Sequence, residues 1–206
     1  MLKSFSISTD TVNNQRLIST LSAGMIGPAA FAGRMQATIH KWTGDQTPHG
    51  WQHQIRNDAV INYELSHEKG IVDVPNIMSV NTNLTVRLGT LSDKAQAGFT
   101  LILGRFHSPF SVSKNYNPKN FQIYAYNQPL VSIIGYDATM QGGLVNKNTP
   151  YTLKSAQISR VTFQNNFGVA VSFWKIYAEY YRTYLTREFK SGKDHLWGGV
   201  KIGVSF

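Results

Sequence analysis

The chain ends in the eight residues GVKIGVSF (Gly199–Phe206). Apolar side chains stand at every second position, and Gly, Lys or Ser stand between them. Because successive side chains of a β-strand point to opposite faces, this pattern predicts a strand with one apolar face.

The same alternation recurs in the interior of the chain. Two-faced strands are predicted at 61–66, 84–89 and 99–104. Further strand-like stretches are 17–24, 130–139, 155–163, 167–173 and 176–187, which brings the expected total to eight or nine strands. Trp174-Lys175 leaves room only for a tight hairpin, whereas polar loops are expected at 108–120, 142–150 and 191–194.

Short turns alternating with long polar loops are typical of a transmembrane β-barrel. Two more features favour a barrel. Many Tyr and Trp residues lie near strand ends, and the last strand ends in Phe206, as the closing strand of bacterial outer-membrane barrels does. The predicted fold class is therefore all-β, an antiparallel up-and-down transmembrane barrel formed as a single domain over 1–206. A soluble barrel that binds an apolar ligand also fits the pattern and remains an alternative.

One segment interrupts the strand pattern. Pro28 opens it and Gly44 follows it, which is the punctuation expected of a helix near 28–42. The apolar residues of this segment recur at helical spacing and form one stripe, made of Phe31, Met35, Ile39 and Trp42. This predicts one short α-helix, placed over a barrel mouth or in the headgroup layer.

Composition excludes several kinds of chemistry. The 206 residues include no Cys, which excludes disulfides, thiolate metal sites and a Cys nucleophile. Lys and Arg outnumber Asp and Glu by 20 to 11, but the cations are spread thinly, so we expect no nucleic-acid partner. Of the six His residues, His40 is the candidate general base, four positions after Gln36 on one helix face.

Several motifs together resemble the lipid A deacylase family of Gram-negative outer membranes, the 3′-O-deacylases. These motifs are GMIGPAA at 24–30, Gln36-x-x-x-His40, Gly50-Trp51 with Gln54 and Asn57-Asp58, and the stretch RTYLTREFK at 182–190. The resemblance extends over nearly all of the chain.

The resemblance implies an outer-membrane esterase that hydrolyses an acyl ester of lipid A, the lipid anchor of lipopolysaccharide. His40 would activate water as general base and Gln36 would position the water or the substrate carbonyl. A divalent cation, usually Ca²⁺ in this family, would polarise the carbonyl. Asp45 and Gln46, in the loop after the helix, are the candidate metal ligands, and the protein is expected to be a monomer.

The chain departs from the family pattern at its start. The family's first strands carry an Asn-Asp pair and a Thr/Ser-containing segment, and no Asn-Asp pair precedes His40 here. We therefore expect this chain to correspond to the C-terminal two-thirds of the family's barrel, without about four strands and a signal peptide. An inactive fragment, or a non-catalytic barrel with a porin or structural role, is the alternative function.

Overall fold

The computed structural model describes residues 2–8, 14–46, 49–108, 110, 121–146, 149 and 151–204. It contains one nine-stranded antiparallel sheet in which every strand pairs with its neighbours in the chain. The strands are β1 (Leu2–Ser8), β2 (Gln15–Ile26), β3 (Asp58–Val74), β4 (Met78–Gly89), β5 (Ser92–Arg105), β6 (Gln122–Asp137), β7 (Val161–Phe173), β8 (Ile176–Leu185) and β9 (His195–Val204). The helices are α1 (Ala32–Thr43) and α2 (Ala138–Gln141), with 3₁₀ turns at Pro28–Ala30 and Trp51–His53.

The two faces of the sheet have opposite polarity. Side chains of the outward face are apolar and exposed, for example Leu88 on β4, Ile133 on β6 and Ile202 on β9. The inward face carries buried polar side chains, including Asn62, Asn81, Ser132, Thr162 and Thr183. A soluble barrel places its apolar face inward, so this arrangement is inconsistent with the soluble alternative and is that of a wall facing lipid.

Charges inside the sheet are paired across neighbouring strands. Arg16 of β2 donates to Glu68 of β3, and Arg87 of β4 donates to Glu64 of β3. Near the other edge of the sheet, Glu179 of β8 accepts a hydrogen bond from Lys201 of β9. Each pair neutralises its own charges on the inward face of the sheet and satisfies their hydrogen bonds.

The two ends of the sheet differ in the length of their connections. The end that carries α1 has the links 27–57, 90–91, 138–160 and 186–194, and the opposite end has 9–14, 75–77, 106–121 and 174–175. Two of the four links at the α1 end exceed 20 residues, whereas none at the opposite end does, although 90–91 is a tight turn and 106–121 is long. Outer-membrane barrels have short periplasmic turns and longer extracellular loops, so the α1 end is the extracellular end. No helix in the described part of the chain is long and apolar enough to cross a membrane.

Most predicted strands are confirmed, with two corrections. The stretches 155–163 and 167–173 were expected to be separate strands, but a single strand, β7, begins at Val161. Residues before it form turns held by Arg160, which donates to the carbonyls of Ile134 and Ser155. The prediction also missed β1, since only two exposed apolar residues, Phe5 and Ile7, alternate there.

The predicted turns are confirmed where they are described. Trp174-Lys175 forms the hairpin between β7 and β8, and 191–194 lies in the link between β8 and β9. Most of the predicted loop 108–120, part of 142–150, and Phe206 lie outside the described residues.

Candidate functional site

Helix α1 begins and ends where its punctuation predicts. The segment Pro28–Ala30 forms a 3₁₀ turn, and Phe31 then adopts a left-handed conformation (φ 61°) that separates this turn from α1. Gly44 ends the helix, also left-handed at φ 71°, with its N–H directed to the carbonyl of His40. The predicted helix near 28–42 is thus confirmed, with its α-helical part at Ala32–Thr43.

The apolar stripe of α1 faces away from the protein. Phe31, Met35, Ile39 and Trp42 are all exposed, Trp42 by 81%. An exposed stripe of this kind at the extracellular end of a lipid-facing wall is suited to the lipid headgroup layer. Of the two locations expected for the helix, the headgroup layer therefore fits the structure.

One hydrogen bond and one close backbone approach hold the start of this segment beside β3. Asn57 Oδ1 accepts the backbone N–H of Ala29 at 2.8 Å. Gly27 has φ +90°, and a Cβ on it would lie 2.6 Å from the carbonyl carbon of Arg56, so only glycine fits there. The neighbouring Asp58 is buried and accepts backbone N–H groups from Val145 and Asn146 in the link to β7. Asn57-Asp58 therefore fastens two extracellular connections to the wall.

His40 is oriented by the loop that follows α1. Its Nδ1 lies 2.7 Å from the backbone oxygen of Gln46 and 3.8 Å from Asp45 Oδ2. A carbonyl only accepts, so Nδ1 of the neutral imidazole carries the proton and Nε2 carries the free lone pair. The imidazole therefore presents Nε2 as its acceptor, and 26% of the His40 side chain is exposed.

Gln36 is held by a residue to which the sequence analysis assigned no role. Trp51 Nε1 donates to Gln36 Oε1 at 2.8 Å. The indole packs against Gly33 so closely that a Cβ there would lie 3.0 Å from the ring. Because the amide oxygen of Gln36 is occupied, its two N–H donors remain for another acceptor. The Gly50-Trp51 motif was the available signal, but its spacing did not show which side chain it meets.

The two candidate metal ligands serve the loop itself. Asp45 Oδ1 accepts the N–H of Gln46 at 2.8 Å, and the carbonyl of Gln46 faces His40. Within the described ranges, no three His, Cys, Asp or Glu side chains are grouped closely enough to hold a metal. Ca²⁺ takes six to eight oxygens, so Asp45 and Gln46 by themselves do not complete such a site.

An apolar groove lies beside the N-terminal half of α1. Its volume is about 380 Å³, and it is lined by Met25, Gly27, Ala30, Ala32, Trp51 and Ile55, among others. Trp51 thus contacts the groove and also binds Gln36. Met25 is an exposed residue of the outward face of β2, which places the groove at the lipid-facing surface.

Comparison with known proteins identifies the family. The family model described as "Outer membrane protein LpxR" matches residues 2–206. The chain belongs to the LpxR family. It is also similar in structure to LpxR from Salmonella typhimurium, with 17% sequence identity and a TM-score of 0.82 over 100% of this chain and 72% of that one. No curated protein sequence matches it.

Membership of the LpxR family confirms three predictions. The resemblance to the lipid A deacylases is confirmed by the family match, and the barrel fold is confirmed by the structural similarity. The outer-membrane location is confirmed as well. The family match also supports hydrolase activity in general terms.

Proposed function

We propose that this LpxR-family protein hydrolyses an acyl ester of lipid A in the outer leaflet, with His40 as general base. The observation that carries the proposal is the contact between His40 Nδ1 and the Gln46 carbonyl at 2.7 Å, which leaves Nε2 as the acceptor. A neutral imidazole accepts a proton readily near neutral pH, as ester hydrolysis by water requires.

In the proposed reaction, His40 Nε2 removes a proton from water while the water oxygen attacks the ester carbonyl carbon. The tetrahedral intermediate then expels the sugar hydroxyl oxygen, and the imidazolium returns its proton to that oxygen. The products are a free fatty acid and a lipid A molecule with one hydroxyl restored. The backbone oxygen of Gln46 holds the ring through both proton transfers.

Gln36 is proposed to stabilise the carbonyl oxygen as it becomes negative. Its own oxygen is held by Trp51 at 2.8 Å, so the amide group presents its N–H donors to the substrate. A donor fixed in place before the reaction lowers the barrier because it needs no reorganisation when the charge develops. Of the two roles expected for Gln36, this arrangement favours positioning the carbonyl.

The groove beside α1 supports a lipid substrate. Its lining is largely apolar, and it opens beside Met25 on the surface that faces the acyl chains of the outer leaflet. An acyl chain can enter such a groove from the membrane without crossing water. The exposed stripe of α1 and its cations Arg34 and Lys41 complement a lipid with anionic phosphates.

The direct test is incubation of the purified protein with lipid A in mixed micelles, followed by mass spectrometry of the lipid. The proposal expects a lipid A product lighter by one acyl chain and an equal amount of free fatty acid. Intact lipid A after prolonged incubation with folded protein would contradict the proposal and favour a non-catalytic barrel. We also propose a monomer, to be measured by light scattering in detergent.

Trp51→Phe is expected to lower kcat about tenfold, the effect of losing one hydrogen bond of about 1.4 kcal/mol. The ring that packs on Gly33 is kept, while the N–H that holds Gln36 is removed. The matched control adds Trp51→Phe to a Gln36→Leu variant, where it should have no further effect on kcat. Additive losses in the double variant would show that Trp51 does not act through Gln36.

The requirement for a divalent cation remains a proposal. Asp45, with a side chain 66% exposed, and Gln46 would contribute part of its oxygen shell, and the ion would polarise the ester carbonyl. We expect EDTA to abolish acyl release and Ca²⁺ to restore it, with Asp45→Asn raising the Ca²⁺ concentration needed. Full activity in EDTA would contradict the cation requirement and leave the role of His40 untouched.

A further inference from the structure

Arg182 lies on the lipid-facing surface of the wall. On β8 its neighbours Tyr177 and Glu179 are joined by a hydrogen bond on the inward face, whereas Tyr180 faces outward and is 54% exposed. By the alternation of the strand, Arg182 shares the face of Tyr180. A cation on the lipid face is costly away from the membrane surface, so such a position calls for an explanation.

The level of Arg182 follows from strand geometry. Trp174, in the turn between β7 and β8, is exposed at the periplasmic end, and Arg182 lies eight residues further along β8. Strands rise about 3.3 Å per residue and are tilted by about 40°, so the two residues differ in height by about 20 Å. The apolar band of such barrels is about 25 Å tall. Arg182 therefore lies near the outer edge of that band, where a long cationic side chain reaches the headgroups.

No protein anion neutralises Arg182 in the part of the chain that the structure describes. The described residues form four ion pairs, and none of them includes Arg182. Asp194, in the loop above, binds the Tyr184 hydroxyl at 2.5 Å and the Arg187 N–H at 3.0 Å, and both bonds hold the pKa of this carboxyl below its usual value. Glu179 faces the interior and binds Lys201. Among the described residues, therefore, no carboxylate supplies the counter-charge of Arg182.

Arg182 lies between a glycine on one neighbouring strand and an aromatic residue on the other. The register places Gly198 of β9 directly beside it, and a Cβ there would lie 3.1 Å from Arg182 Cγ. On the other side stands Phe167 of β7, which is 37% exposed. A Cβ at Gly198 would also lie 2.5 Å from the carbonyl oxygen of Tyr181, so the glycine lets the stem of Arg182 pack directly over the β9 backbone. The aromatic ring of Phe167 suits the boundary between acyl chains and headgroups.

We propose that Arg182 binds the phosphate of a lipid headgroup in the outer leaflet, at a site separate from the one beside α1. Three further cations lie in the loop directly above it, namely Arg187, Lys190 and Lys193. Five strands separate β2, which carries the groove residue Met25, from β8, so the two sites are about 29 Å apart along the sheet. The proposal rests on the outer-membrane location and does not depend on the proposed esterase activity.

The test uses the absence of Cys from the chain. A fluorophore is attached to Val200→Cys on the outward face near Gly198, or to Leu84→Cys on the outward face of β4 as the control position. The folded protein in detergent micelles is titrated with spin-labelled phosphatidylglycerol, which quenches the fluorophore on contact. We expect half-maximal quenching at position 200 to need a lipid concentration at least ten times lower than at position 84. Arg182→Gln should remove this difference, while Lys175→Gln at the periplasmic rim should preserve it.

Competition distinguishes the sources of the phosphate. Unlabelled bisphosphorylated lipid A should relieve quenching at position 200, whereas a phosphate-free galactosyl diacylglycerol and millimolar inorganic phosphate should not. Equal quenching in the wild type and in Arg182→Gln would overturn the proposal. Relief by inorganic phosphate at the same concentration as by the lipid would overturn the lipid assignment in favour of a free-anion site.

Discussion

Replacing His40 with Gln is expected to lower kcat for acyl release from lipid A by about 10²–10⁴-fold, with little change in KM. The glutamine side chain fills a similar space and donates or accepts hydrogen bonds, but it does not accept a proton from water near neutral pH. Since the substrate acyl chain is proposed to lie in the groove beside Trp51 and Met25, binding should be preserved. The measurement is steady-state release of fatty acid from lipid A in mixed micelles.

The matched control is His49→Gln, which changes an exposed His at the same end of the sheet. It should leave both kcat and KM unchanged. Circular dichroism and urea unfolding in detergent show whether each variant remains folded. A folded His40→Gln variant that retains more than half of the wild-type kcat would rule out His40 as the general base.

Replacing Glu179 with Ala is expected to lower the free energy of unfolding by about 3 kcal/mol. Its buried carboxylate accepts hydrogen bonds from the hydroxyls of Tyr126 and Tyr177, each at 2.6 Å, and from Lys201 Nζ at 3.2 Å. These partners come from β6, β8 and β9, so one side chain connects three strands inside the wall. Its removal leaves two tyrosine hydroxyls without their acceptor.

Urea unfolding in detergent, followed by circular dichroism, measures this loss. Glu188→Ala is the control, because Glu188 lies in the link between β8 and β9, where its backbone oxygen accepts the Ser159 N–H. Among the described residues its carboxylate makes no hydrogen bond, and its charge reaches Lys94 by Coulomb attraction alone. The control should change stability by less than about 0.5 kcal/mol. An equal effect of both variants would mean that the Glu179 network does not stabilise the wall.

Much of the wall was predictable because its signal is local. Alternating apolar and polar residues predict the two faces of each strand, as at Leu84, Val86 and Leu88. A few polar residues or a short break in the alternation predict each turn. Pro28 and Gly44 likewise mark the start and the end of the helical segment that contains α1. The strand β7 was predicted as two pieces because polar Gln164, Asn165 and Asn166 interrupt its apolar pattern, although pairing with β6 continues through them.

Local sequence patterns predicted the strand alternation, the helix α1, and the presence of Gln36 and His40 on one helix face, because these features depend on neighbours a few residues apart. The folded structure was needed to show that Trp51 holds Gln36 and that the wall is polar within and apolar outside. It also decided that Arg182 faces lipid without a protein anion among the described residues. The physical reason is that such contacts join residues far apart in the chain, and their geometry is set by strand register and loop closure, which no local pattern records.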